Sequence, residues 1–414
     1  MDVIDFVSSD VGQIPSDWHI EPIGRLCSIS AGGDLEKRDY SEFQNPTFPY
    51  PIFANALTNR GLYGFSRTAK FSAGDVTITA RGDVGHSEYR NAPFNAIGRL
   101  LVLKTEGKLD ARYLSYFINA RVAFALESTG VPQLTAPQVA KYIIAYPPTR
   151  SEQQAIAAAL SDAEFYVDSL EQLIVKKGAI KQGVAQSLLG GVKRLPGYIT
   201  EDLKETPFGQ LPSDWPVRLL KDIVDETRSI RYGIVQPGDF SASGRYMIRG
   251  QDYSRGWCSS AFVFRVSDKI EEPFRNARVR EGDLVITIVG ASCGTVEQIP
   301  QWLDGANLTQ TTARLAIDGR KADAQFVKYM LRSMVGTQQV ASYLKGGAQP
   351  GLNCGDLENF LLPLPESISE QSSISKILTD IDSEISDLAM KLEKARHIKQ
   401  GMIETLLTGR VRLQ

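Results

Sequence analysis

The second half of this 414-residue chain repeats the first, and that duplication constrains the fold more than any other feature. Ile14-Pro15-Ser16-Asp17-Trp18 returns as Leu211-Pro212-Ser213-Asp214-Trp215, each copy preceded by Gly-Gln (Gly12-Gln13 and Gly209-Gln210). Ala73 to Thr79 is answered by Glu281 to Thr287 through a shared Gly-Asp, and Asp110 to Ala120 by Asp323 to Ser333. The closing segments match best. Ser151-Glu152-Gln153 becomes Ser369-Glu370-Gln371, Ile180-Lys181-Gln182-Gly183 becomes Ile398-Lys399-Gln400-Gly401, and Leu188-Leu189 becomes Leu406-Leu407, all at a shift of 369 − 151 = 218. A constant shift over almost forty residues is what a packed helix demands, because one inserted residue turns its buried face by about 100°. Between the opening boxes the shift is 211 − 14 = 197, so the globular parts differ in loop length, as variable surfaces on a kept framework should.

The closing segments predict two long helices. Pro147-Pro148 and Pro363/Pro365 stop what precedes them; Ser151 is the expected N-cap of the first, with Ser151-x-x-Gln154 as a capping box, and Ser369 of the second. Apolar residues then step by threes and fours: Ile374, Ile377, Ile381, Ile385, Leu388, Leu392, Ala395, Ile398, Met402 and Leu406 in the second copy, and Ile156, Ala159, Ala163, Val167, Leu170, Ile174, Lys177, Ile180, Val184 and Leu188 in the first. Only Lys177 breaks the stripe. At roughly 36 residues each helix spans about 54 Å. Such a stripe buries a helix on its own module or seals two helices together in a coiled-coil-like seam. The order module, helix, module, helix favours an antiparallel pair, since no long crossover is then needed. Val167, Leu170, Ile174, Ile385, Leu388 and Leu392 are the expected packing residues, with Leu170 opposite Leu392 and Ile174 opposite Leu388. Gly190-Gly191 and Gly409 end the helices.

The resulting organisation is a first module (1–148), a central helical spacer (149–191), a polar linker (192–210), a second module (211–366) and a C-terminal helical spacer (367–414). The fold class is α+β: two pseudo-two-fold-related α/β modules separated by two long antiparallel helices. Strands are expected at Val76–Thr79, Leu100–Leu103, Leu284–Val289 and Ala313–Ile317, and helices at Ala111–Leu126 and Ala324–Tyr343.

Composition excludes several classes. No stretch of about 18 apolar residues exists, so no membrane-spanning helix is expected, and the acidic N-terminus is unlike a secretory signal; a cytoplasmic protein follows. Cys27, Cys258, Cys293 and Cys354 are scattered and there are three histidines, an unpromising set for zinc or disulfides. Forty-six Lys and Arg against 48 Asp and Glu leave a net charge of −2, too little for a generic DNA-coating protein. Locally the balance tips: Arg60 to Arg121 and Arg228 to Arg280 each hold ten basic against five acidic residues.

Residues suited to reading DNA sit in the expected loops. In the first module these are Tyr50, Asn59, Arg60, Tyr63, Arg67, Lys70, Arg81, His86, Tyr89 and Arg90, with Asn55 and Asn91 beside them. In the second they are Arg228, Arg231, Tyr232, Arg245, Arg249, Gln251, Tyr253, Arg255, Arg278 and Gln310, with Asp252 and Arg275. Arg meets guanine O6/N7 and Asn or Gln meets adenine N6/N7 bidentately, while further Arg and Lys hold phosphates. Catalytic motifs are missing. Tyr146-Pro147-Pro148-Thr149 lacks the side chain that would hold a target amine, there is no phosphate-binding G-x-x-x-x-G-K-[ST] loop, and Glu106-Gly107-Lys108 has no counterpart in the second module.

The duplicated Pro-Ser-Asp-Trp box, the Gly-Asp turn, the Pro-flanked Ser-Glu-Gln helix start and the Ile-Lys-Gln-Gly to Leu-Leu helix end together resemble the specificity subunit of Type I restriction-modification enzymes, over nearly the whole chain. The resemblance implies that each module is a target recognition domain for one half of a bipartite, asymmetric DNA site. It implies too that the helices space the two domains and dock two modification (methyltransferase) subunits, with ATP-dependent restriction subunits joining through the complex. No catalytic or metal site is then expected in this chain, and S-adenosylmethionine, ATP and magnesium belong to the partners. Lys177 departs from the pattern on the helix seam. The competing reading is a duplicated two-headed protein-binding scaffold without DNA specificity.

Overall fold

The computed structural model describes residues 5–9, 11–107, 109–125, 133–198, 202–344 and 351–413. They form two compact units, Met1–Leu173 with Leu388–Gln414, and Ile174–Asp387. The first unit opens with a hairpin of β1 (Phe6–Ser9) and β2 (Gly12–Pro15), followed by β3 (His19–Pro22), β4 (Cys27–Ala31), β5 (Tyr50–Phe53), β6 (Leu62–Ser66), β7 (Val76–Ile78), β8 (Ser87–Tyr89), β9 (Asn95–Ala96), β10 (Leu101–Thr105) and β11 (Ile143–Tyr146). An antiparallel sheet runs β4-β10-β7-β8; a second runs β6-β5-β9, with β5 and β9 parallel; β3 pairs with β11. The period of two in a strand divides the interior. Leu101 and Leu103 join Val76, Ile78 and the helix Ala111–Arg121 in the main core, while Leu100 and Val102 point the other way into a smaller cluster with Phe94.

The second unit repeats this plan strand for strand. Its elements are the hairpin β12 (Leu203–Thr206) and β13 (Gly209–Pro212), then β14 (Val217–Leu219), β15 (Arg231–Tyr232), β16 (Arg245–Ile248), β17 (Arg265–Val266), β18 (Leu284–Thr287), β19 (Val296–Gln298), β20 (Asn307–Leu308), β21 (Thr312–Leu315) and β22 (Leu361–Pro363). The sheets run β15-β21-β18-β19 and β17-β16-β20, β16 and β20 are parallel, and β14 pairs with β22. The stretch 192–210 thus contains β12 and the start of β13, a hairpin with the register of the N-terminal one: Leu203 opposes Pro212 as Phe6 opposes Pro15. The helix expected over Ala324–Tyr343 is two, Ala324–Arg332 and Met334–Tyr343, broken at an extended Ser333 that caps the second through Val335 N–H. Gly336 permits the corner, for a Cβ there would stand 2.0 Å from the Leu331 carbonyl oxygen. The helix from Ala111 stops at Arg121, and the expected end at Leu126 lies outside the described residues.

The two long helices are Arg150–Leu189 and Ile368–Leu406, 40 and 39 residues. They begin one residue before the serines expected as caps. Glu152 N–H bonds the Thr149 hydroxyl and Glu370 N–H that of Ser367, so Thr149 and Ser367 cap, and Ser151 and Ser369 lie in the first turn. Within each unit the two helices run antiparallel. In the first, Glu164 pairs with Lys399 (2.9 Å) and Glu171 with Arg396 (2.6 Å); in the second, Lys177 pairs with Glu384 (2.8 Å) and Lys181 with Asp382 (2.5 Å). The ends of the stripe enter the module cores: Ile156, Leu406 and Leu407 in the first unit, Leu188, Leu189, Ile374 and Leu378 in the second. Of the expected packing residues Val167, Leu170, Leu388 and Leu392 are buried, and Ile174 and Ile385 half-buried. Two equivalent stripe positions face solvent instead, Ile180 at 44% and Ile398 at 52% exposure. Their neighbours Lys181 and Lys399 turn inward toward Asp382 and Glu164, carboxylates that also accept hydrogen bonds from the Tyr329 and Tyr116 hydroxyls.

The repeated motifs prove to be one clamp made twice. Arg194 spans Asp214 and Glu370, and Arg412 spans Asp17 and Glu152, so the Asp of the Pro-Ser-Asp-Trp box and the Glu of Ser-Glu-Gln grip one arginine after each helix end. The adjacent glutamines stitch the helix start to its module: Gln153 accepts from Asp110 N–H and donates to the Pro147 carbonyl, as Gln371 does with Asp323 and Pro365. Gly191 and Gly409 adopt φ +66° and +67° against Pro212 and Pro15, the prolines of the same boxes.

Candidate nucleic-acid interface

In the first unit the strand β8 and the loops after β5 and β8 enclose, with the flank of the central helix, a groove of about 760 Å³. It collects Tyr50, Asn59, Arg60, His86, Tyr89, Arg90 and Asn91 from the expected set. Asn59 and Arg60 are both left-handed (φ 49° and 52°), a conformation disfavoured for side chains with a Cβ and found where a loop is held for use. Arg90 holds them. Its buried guanidinium stacks on Phe53 (3.7 Å to the ring centre), donates to the Thr77 hydroxyl, and donates to the Arg60 carbonyl at 2.9 Å. Burial lowers its pKa to about 10, still charged near neutrality. Arg60 itself stays exposed and leans on Glu88 (2.7 Å), which also meets His86 Nε2 at 3.2 Å. Burial pushes the Glu88 carboxyl up, but His86 and Arg60 hold it below the usual carboxylate range. Glu164, Phe165 and Asp168 of the central helix form the opposite, acidic wall.

The remaining expected residues of this unit do not join the groove. Tyr63 packs against Tyr40, Arg67 lies over Phe48, Lys70 pairs with Glu36, and Arg81 bonds Gln133. Asn55 is structural, accepting from Ala80 N–H and donating to the Gly98 carbonyl.

The second unit is wired differently. Arg228 makes a two-pronged pair with Asp283, Arg278 with Glu271, and Arg249 bonds Asp252; Arg245 reaches Glu271 and the Gly305 carbonyl. Tyr253, expected as a DNA contact, is closed inside at 1% exposure with its hydroxyl on Thr287, because its ring completes the cluster around Ile248 and Val285. Arg90, also expected as a DNA contact, is likewise buried, at 6% exposure, and supports the Asn59–Arg60 loop from beneath. Arg231, Tyr232, Gln251, Arg255 and Gln310 are exposed. Arg228, Arg231 and Arg278, with Arg275, line a pocket of about 510 Å³. Two further arginines there escaped sequence reasoning. Arg280 follows the short 3-10 helix Glu272–Ala277, and Arg314 lies in the middle of the apolar strand β21, where nothing in the pattern distinguishes it from a core position.

The triplets weighed for catalysis in the sequence take other places in the fold. Tyr146-Pro147-Pro148 closes β11, with the Tyr146 hydroxyl on Glu21; Lys108 of the Glu-x-Lys triplet lies outside the described residues. Among the described residues no cluster of His, Cys, Asp and Glu suited to a metal occurs, and all four cysteines are free, Cys27 pushed up to about 12 by burial and then by Glu106. Among the described residues no helix is long and apolar enough to cross a membrane.

Comparison with known proteins places this architecture. The model of the Type I restriction modification DNA specificity domain matches residues 15–176 and again 212–395. The EcoBI specificity subunit of Escherichia coli is 28% identical over 357 residues, spanning 82% of this chain and 74% of that protein. The MjaVIII specificity subunit of Methanocaldococcus jannaschii is 24% identical over 420 residues, 97% and 95% of the two chains. In fold the chain is similar to the crystal structure of the S subunit of the Type I restriction-modification system from M. genitalium, with TM-score 0.63 over 94% of this chain and 96% of that one at 16% identity. With its domain matched twice over most of its length, the chain belongs to the Type I restriction-modification DNA specificity family and is a two-domain specificity subunit.

Proposed function

We propose that each module reads one half of a bipartite, asymmetric DNA target, and that the helices between them set the unread spacing and dock two adenine-methyltransferase subunits. The observation that carries this reading is one framework bearing two different surfaces. Clamp, hairpin and sheet order are duplicated, whereas the first module presents Asn59 and Arg60 over an acidic-walled groove and the second an arginine-lined pocket. Two equal frames with unequal readers suit two different half-sites. In this reading residues 1–148 and 211–366 are the target recognition domains, and 149–191 and 367–414 the helical spacers. The chain performs no chemistry and binds no cofactor: S-adenosylmethionine serves the modification subunits, and ATP with magnesium the restriction subunits that join the complex, in the cytoplasm.

Mapping methylated adenines in cells with and without this chain tests it. The expected result is methylation at one gapped motif that vanishes with the chain. Arg60→Ala should relax one half of that motif only, by about 1–3 kcal/mol of discrimination for a lost bidentate contact. Methylation indifferent to the chain, or a motif without a gap, would overturn the proposal.

A further inference from the structure

The pocket of the second unit has an electrostatic surplus that its own structure does not cancel. Six arginines surround it: Arg228, Arg231, Arg275, Arg278, Arg280 and Arg314. Three are answered by carboxylates, Arg228 by Asp283, Arg278 by Glu271, and Arg275 by Glu272. Arg231 and Arg280 take part in no ion pair among the described residues; Arg231 bonds only the Ser229 hydroxyl, and Arg280 uses its backbone N–H on Asp283. The single acid in the lining, Asp304, is engaged by Glu281 N–H.

Arg314 is the anomaly. It is 3% exposed and forms no ion pair among the described residues. It donates to three main-chain carbonyls, of Asn276, Arg278 and Ser229, and its Nε has no partner. Burial lowers its pKa to about 10, and Arg228, Arg231 and Arg280 push in the same direction against an opposing pull from Asp283. A buried cation facing cations is a costly arrangement unless an anion completes it. The three carbonyls belong to the segments that carry Arg231, Arg275, Arg278 and Arg280, so Arg314 also fixes the pocket's rim. The first unit places its buried arginine elsewhere, at Arg90 beside Phe53 and Thr77. The equivalent position on β10 is Val102, in an apolar cluster, and the residue opposite it is Ser30 where β15 has Arg231.

We propose that this pocket seats one phosphate of the DNA backbone, with Arg231 and Arg280 as its direct ligands and Arg314 as the buried charge that pre-orients them. The second module is then anchored by a charge contact at a position that the first fills with Val102 and Ser30. Resting on the DNA-reading function above, the inference assigns Arg231 and Arg280 to register and affinity, leaving the choice of bases to others.

The test uses the full chain assembled with its modification subunits, on a duplex carrying the mapped site and on an unrelated duplex. For Arg231→Ala, Arg280→Ala and the double variant, affinity should fall by the same factor on both duplexes, and the slope of log K against log salt should shrink by about one. Single methylphosphonate linkages scanned through the second half-site should reveal one position where removing the charge weakens the unmodified protein and leaves the double variant unchanged. Arg320→Ala, an exposed arginine paired with Asp318 outside the pocket, serves as the control and should change nothing. Sequence-selective binding by the unmodified protein with an unaltered salt slope in the double variant would overturn the phosphate site alone. No sequence preference in the unmodified protein would overturn the DNA-reading function beneath it. Loss of selectivity with the salt slope retained would make these arginines base readers and reject the phosphate assignment.

Discussion

Arg194 and Lys177 both sit beside carboxylates, and their surroundings decide what each is worth. The Arg194 side chain is 5% exposed and Glu370 1%, so removing Arg194 strands the Glu370 carboxylate away from water, whereas removing Glu370 leaves Arg194 its pair with Asp214. Arg194→Ala is expected to cost about 3–5 kcal/mol, measured by urea unfolding, and Glu370→Ala less. Lys177 and Glu384 are 29% and 50% exposed, and Lys177→Ala should cost under about 1 kcal/mol. The lysine that interrupts the apolar stripe is therefore a surface accommodation, its ammonium reaching Glu384. Glu271 adds a pH dependence. Burial raises its carboxyl, but Arg278, Asn307 and Arg245 hold it below the ordinary range. A depressed folded-state pKa contributes stability above the unfolded value, about 4.3, and that contribution is lost as pH falls through the folded one. Glu271→Gln should therefore melt lower at pH 7, and the two melting curves should converge as pH drops below about 4. Parallel curves from pH 7 to 3 would show that Glu271 titrates alike in both states.

At the scale of elements, the glycines that end the long helices tie rod to module. A Cβ at Gly191 would stand 2.6 Å from Pro212 Cδ, and one at Gly409 2.3 Å from Pro15 Cγ, each at positive φ. Gly191→Ala and Gly409→Ala should each destabilise by at least about 1–3 kcal/mol, read as a fall in melting temperature, while Gly183→Ala, with nothing near its Cβ, should be neutral or stabilising. These contacts also explain why some features were legible in the sequence and others were not. The duplication, the helices and the strands of the main sheets follow from periodicity and a constant shift, which any packed helix must preserve. The clamp was visible only as conspicuous repeats, because its partners lie far apart in the chain: Arg412 meets Asp17 across 395 residues. The cap position was misread by up to two residues, since Thr149 and Ser151 are both good caps and only backbone geometry chooses. The groove residues divided by burial, which composition does not reveal. Arg60 and Arg90 look alike in a loop, yet one is presented and the other holds the loop in place. Arg314 was invisible because a single arginine in Thr-Ala-Arg-Leu reads as an ordinary strand position until the facing strand is known.

For the whole molecule, the proposed reading makes helix length a functional quantity. The central helix has 40 residues, about 60 Å at about 1.5 Å per residue. Removing one heptad from the middle of each helix, residues 168–174 and 388–394, shortens both by about 10 Å and turns the helical face by only about 20°, so the apolar stripe continues across the join. Ten ångströms of duplex is roughly three base pairs, but three base pairs also rotate by about 100°, given one turn per 34–36 Å. Translation and rotation cannot both be matched at the original site. The shortened protein should therefore keep both half-site sequences, bind its original target more weakly, and prefer a shorter spacer when offered a library of spacers from which methylated sites are recovered. A recovered spacer of unchanged length at full affinity would mean that the helices do not measure the gap, and that the modules find their half-sites through partners or through flexible joints instead.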